Sequence, residues 1–134
     1  YASLAVKQPT WLSEGKVTIP IQMALDPEPE LKNVPFALDL VKNADDRRVL
    51  EVVFTKYKMS RPYFFAAGVP SERVAAVRKA FLAIFKDPGF IAEAKKRRLM
   101  PAAVPGEVVQ SMVQRIYDTP EPLLERVRAI IGGK

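Results

Sequence analysis

Lys16-Val17-Thr18-Ile19-Pro20-Ile21-Gln22-Met23-Ala24-Leu25 is the stretch on which the fold class turns. Val17, Ile19, Ile21 and Met23 recur with period two, and Thr18, Gln22 and Ala24 fall on the opposite side, which predicts a β-strand. Pro20 has no N–H to give a ladder. The strand is therefore expected at a sheet edge, with a bulge, or crossing between layers. A second strand is expected at Tyr63-Phe64-Phe65-Ala66, with Pro62 at its entry. Two strands do not make a self-sufficient sheet. The sequence thus predicts a helix-rich α/β fold whose two main strands are completed by missing chain or by a partner.

Helices fill the rest. Ahead of the strand, Leu4 to Val6 is apolar, and Ser13-Glu14-Gly15 reads as a stop. Asp26-Pro27-Glu28-Pro29-Glu30 is held out of helix by its prolines. A short helix is expected from Val34-Pro35 to Lys42. Asn43 then caps a helix with Asp45 and Asp46 at its positive end and an apolar stripe of Val49, Leu50, Val53 and Phe54. Pro70 opens a helix carrying Val74, Val77, Phe81, Ile84 and Phe85 on one face. Asp87-Pro88 starts another, ending near Arg98. From Gly106, Val109, Met112, Val113 and Ile116 point inward. Thr119-Pro120 opens a last helix with Leu123, Leu124, Val127, Ile130 and Ile131, and Gly132-Gly133 ends it.

Composition narrows the chemistry. The 134 residues are one ordinary domain in size, and 49% are hydrophobic, enough for a core. No cysteine means no disulfide, thiolate metal site or cysteine nucleophile, and no histidine removes the commonest general base. There is no P-loop and no GxGxxG, so the chain is not expected to be an enzyme, and neither cofactor nor metal is expected. Asp45 with Asp46 reads as capping, and Glu28 with Glu30 as plain surface. The net charge of +6 is spread along the chain except for Lys95-Lys96-Arg97-Arg98, which reads as a solvated helix end complementing the dipole. The aromatics beside Lys56, Lys58 and Arg61 read as a buried strand face, not as a base-stacking platform, so no nucleic acid is expected. Tyr1 is not a start methionine, and no signal-peptide layout follows it. The chain is expected to be a piece of a longer protein, with any export signal upstream.

Five segments in order resemble one family. Trp11-Leu12-Ser13-Glu14-Gly15-Lys16-Val17 resembles the W-L-x-x-G-K-I segment of the tripartite tricarboxylate transporter receptors, also called Bug proteins. Glu30-Leu31-Lys32-Asn33-Val34-Pro35 resembles their L-P-D-V-P loop. Arg61-Pro62-Tyr63-Phe64-Phe65-Ala66-Ala67-Gly68-Val69-Pro70 resembles R-P-F-x-A-P-P-G-V-P, with Ala67 in place of the second proline. Ala80-Phe81 through Lys86-Asp87-Pro88-Gly89-Phe90 follows A-F-x-x-x-x-K-D-P-x-F. Arg115-Ile116-Tyr117-Asp118-Thr119-Pro120 resembles R-I-Y-A-T-P.

The resemblance covers the whole chain but only the C-terminal part of such a receptor. It implies a partial periplasmic-binding-protein type II-like fold. Residues 1–62 would be a C-terminal portion of lobe 2 with a linker strand, and residues 63–134 a helical portion of lobe 1. It also implies a periplasmic solute-binding protein that captures small carboxylates and delivers them to membrane permease subunits. The carboxyl ends of strands nominate Met23, Ala24, Pro35 and Phe36 as ligand contacts, with Tyr63 at the lobe crossing. The isolated piece is expected to bind dicarboxylates weakly or not at all, and to self-associate through exposed edges. The alternative is a small basic helical interaction module without small-ligand binding.

Overall fold

The computed structural model describes residues 2–132 and divides the chain into two compact units. Unit 1 comprises Tyr1–Thr18 and Tyr63–Gly106, and unit 2 comprises Ile19–Pro62 and Glu107–Lys134. The chain thus passes from one unit to the other three times, once between Pro62 and Tyr63.

Unit 2 is built on α2 (Ala37–Leu40), α3 (Ala44–Met59), α6 (Gly106–Tyr117, beginning at the crossing) and α7 (Glu121–Ile131). Asn43 caps α3 as the sequence predicts. Its side-chain oxygen accepts from the Asp45 N–H at 2.7 Å and the Asp46 N–H at 3.3 Å, satisfying donors that the first helical turn leaves unpaired. The apolar stripe of α3 is buried: Val49 and Phe54 are 2% and 1% exposed. Phe54 forms a core with Leu38 and Ala37, and Ile21, Leu25, Phe36, Leu50 and Val53 pack around it. α7 packs on α3 through its buried Val127 and an Arg126–Asp46 ion pair. Its stripe is narrower than the sequence suggests, because Ile130 and Ile131 remain exposed. Gly132 ends α7 at φ 75°, the left-handed conformation that glycine adopts without steric cost; Gly133 lies outside the described residues.

Unit 1 holds α1 (Ala2–Lys7), α4 (Ser71–Ile84) and α5 (Pro88–Lys96). Asp87 caps α5, accepting from the Phe90 N–H at 2.8 Å. An aromatic chain links Tyr63, Phe81, Phe85 and Phe90 at centroid separations of 5.7, 5.1 and 5.4 Å, tilted or edge-on as ring quadrupoles prefer. Pro70 precedes α4 as its N-cap instead of opening it, and Val77 and Ile84 are exposed instead of inward.

The α/β expectation is overturned: the described residues hold no strand and no sheet, only a parallel bridge between Gln22 and Phe36. The physical reason in the first segment is Gln22. Residues 17–21 alternate between half-buried and exposed, but the alternation breaks at Gln22, which is buried while Met23 points to solvent. The Gln22 amide donates to the carbonyls of Leu31 and Val34, both at 2.9 Å, and its oxygen accepts the Glu28 N–H at 2.7 Å. Its backbone donates to Pro35 C=O at 2.8 Å and accepts from Ala37 N–H at 2.9 Å. One side chain thus takes up the polar groups of the proline-rich loop that a neighbouring strand would otherwise meet. The second segment fails as a strand because no backbone pairs with it among the described residues. Tyr63 and Phe64 are 83% and 81% exposed.

Candidate functional site

Stripes of α3 and α6 line a cleft of about 430 Å³ inside unit 2, to which Leu25 and Asp26 also contribute. On α3, Arg47, Glu51, Thr55 and Lys58 recur at helical spacing and line one wall; on α6, Ser111 and Arg115 do the same, four residues apart. Apolar Val52, Val108 and Met112 alternate with them.

The electrostatics centre on Glu51. Arg47 donates Nε–H to it at 3.2 Å and Nη1–H to Leu38 C=O at 2.7 Å, and Arg48 Nη1 lies 3.9 Å from its other oxygen. Arg48 also donates Nη2–H to the Arg115 carbonyl at 2.6 Å, which accepts the Thr119 hydroxyl at 2.8 Å as well. Thr119 is therefore buried against the end of α6 and does not cap α7. Lys58 pairs with Asp26, and Glu107 is also partnered. The Arg115 guanidinium has no partner among the described residues. Four cations and three carboxylates line the cleft. A guanidinium is a planar fork of donors suited to bind a carboxylate with two parallel hydrogen bonds.

Ser111 makes no hydrogen bond to a base among the described residues, and no three acidic side chains there gather into a metal-sized cluster. Among the described residues no helix is long and apolar enough to cross a membrane. In the proline-rich loop, a hydrogen bond with Glu30, helped by partial burial and by the like charge of Glu30, holds the Glu28 carboxyl above its ordinary range.

The Gln22–Phe36 bridge brings together four of the five residues nominated from sequence. Met23 is exposed, Ala24 half-buried, Pro35 exposed with its carbonyl held by Gln22, and Phe36 packed on the core. None of the four lines the cleft, although the adjoining Leu25 and Asp26 do. Tyr63 belongs to unit 1, stacked on Phe81. Sequence reading missed Arg47, Arg48 and Gln22. Arg115 was noticed only as part of a motif. The signal available was the spacing of Arg47, Arg48 and Glu51, three and four residues apart, which also fits ordinary surface pairing.

Compared with family models, with curated proteins and with solved structures, the chain matches none.

Proposed function

We propose that this chain is part of a periplasmic solute-binding receptor of the tripartite tricarboxylate type, acting by capture of small carboxylates for membrane permease subunits and not by catalysis. The five motif resemblances support the choice of family. The observation that carries the reading is the Arg115 guanidinium, without a partner among the described residues on the wall of a cleft that also presents Arg47, Arg48 and Lys58. In water such a charge loses little by staying free. Beside apolar Met112 and Val108, an anion that replaces its hydration with a bidentate pair gains both charge attraction and geometry.

The test is residue-resolved NMR titration with citrate and succinate. The expected result is a shift of the Arg115 and Arg48 side-chain N–H signals, with a dissociation constant on the order of 1 mM, lost in Arg115→Ala. Citrate that leaves both signals unmoved, or moves them equally in Arg115→Ala, overturns the reading.

A further inference from the structure

The net charge of the protein resides in one unit. Unit 2 carries eleven Lys and Arg against eleven Asp and Glu, so it is neutral; unit 1 carries ten against four, the whole of the +6. Within unit 1 the densest cationic point is Lys95-Lys96-Arg97-Arg98 at the end of α5. Arg97 pairs with Glu93 at 2.6 Å, whereas Lys95, Lys96 and Arg98 have no ion pair among the described residues.

The way this helix ends is informative. The Arg98 N–H bonds to Lys95 C=O at 3.0 Å and the Leu99 N–H to Ala94 C=O at 2.9 Å, the paired closure of a Schellman motif. Arg98 sits at φ 55°, the left-handed position where glycine is favoured because any Cβ is strained. The chain thus keeps a cation where glycine would be more stable. Complementing the helix dipole does not account for it, since Lys95 and Lys96 already occupy the last turn. A backbone outlier of this kind points to use. The closure also fixes Leu99, whose usual part is to pack back on the helix, yet Leu99 and Met100 are 58% and 55% exposed, with Ile91 also at the surface.

We infer that the end of α5 is a docking surface for an anionic phospholipid bilayer. Lys95, Lys96 and Arg98 would meet the headgroups, and Leu99 and Met100 would enter the interface. Cations joined to aliphatic side chains fit a lipid surface, which supplies negative charge and a shallow apolar layer together. Single-stranded nucleic acid would call for aromatic platforms, and residues 91–100 have none, Phe90 being engaged with Phe85; a duplex would engage the cations but leave the exposed Leu99 and Met100 without an apolar partner. The inference concerns unit 1 alone and does not depend on the carboxylate cleft.

The test is co-sedimentation of the whole chain with vesicles of phosphatidylglycerol and phosphatidylcholine in equal parts, against pure phosphatidylcholine. Binding is expected to the anionic vesicles only, weakening as salt is raised. Each cation removed is expected to weaken it about fivefold, so Lys95→Gln with Lys96→Gln loses roughly 25-fold. Arg98→Gly separates charge from folding: binding falls about fivefold while thermal stability rises. Leu99→Ser with Met100→Ser weakens binding at every salt concentration. Equal binding to both vesicle types, none to either, or Arg98→Gly binding as the wild type does overturns the inference. So does equally tight binding to duplex DNA or polyglutamate, which would make the patch a general polyanion site or no anion site at all.

Discussion

The fully buried large side chains of the described residues all lie in unit 2, and unit 1 has none. Among the described residues, Phe54, Leu38 and Val49 in unit 2 are at most 2% exposed, whereas the one buried apolar side chain of unit 1 is Ala94. In unit 1 the large apolar residues join the aromatic chain, whose Phe81, Phe85 and Phe90 are half-buried, or stand in solvent, as Phe64, Leu99 and Met100 do. Charge follows the same division, balanced in unit 2 and net positive by six in unit 1. Removal of apolar surface from water is what stabilises. The cost of ordering the chain is therefore offset mainly in unit 2, leaving unit 1 a carrier of exposed chemistry. Native-state hydrogen exchange should show α3 amides opening only near global unfolding and α5 amides opening well below it. Equal protection in both helices breaks the comparison.

The largest effect is expected from Phe54→Ala. Removing a fully buried ring from the centre of the core costs about 3–5 kcal/mol, read as faster exchange of α3 amides. A loss under about 1 kcal/mol would mean that the core of unit 2 is not where its stability lies. Next is Gln22→Ala. Its side chain makes three hydrogen bonds, and truncation leaves the Val34 carbonyl and the Glu28 N–H without those partners and the Leu31 carbonyl with the Val34 N–H alone. A partial rescue by water brings the expected cost to about 2–3 kcal/mol, with exchange rising first across residues 26–36. If Gln22 is instead an incidental surface residue, the variant is neutral.

Those two residues also show how much of the molecule can be read in the chain. The Phe54 stripe and the Asn43 cap are local signals, and the structure keeps both: period, cap and charge all sit within one helix. Gln22 is the opposite case. Its neighbours alternate as a strand should, but its own side chain closes a loop reaching to residue 34, and no alternation pattern encodes such a bond. The strand reading failed at that residue because tertiary hydrogen bonding overrode local period. The cleft was illegible for a related reason. Arg47 and Arg115 are 68 positions apart in the numbering, and each taken alone resembles a solvated helix cation.

A smaller effect, opposite in sign, is expected in unit 1 from Arg98→Gly. Relief of a left-handed arginine should stabilise the end of α5 by about 1 kcal/mol, seen as slower exchange of the Leu99 amide that closes the motif. Destabilisation would show that the Arg98 side chain holds the helix end through contacts of its own.

The smallest effect is a pH dependence in the loop of unit 2. Glu28 is held above its ordinary carboxylate range, first by its hydrogen bond with Glu30, then by partial burial and by the like charge of Glu30. In that window the folded chain binds a proton that the unfolded chain has released. The contribution to stability is therefore complete below the ordinary carboxylate value. It is lost as pH rises through the raised folded value, against the usual trend in which paired carboxylates stabilise on ionising. Carboxyl NMR titration should give Glu28 a higher midpoint than an unperturbed glutamate, and Glu30→Ala should return it toward the ordinary value. An unchanged midpoint in that variant would leave burial as the sole cause, and the loop that Gln22 closes would then be tighter around Glu28 than its half-exposed position implies.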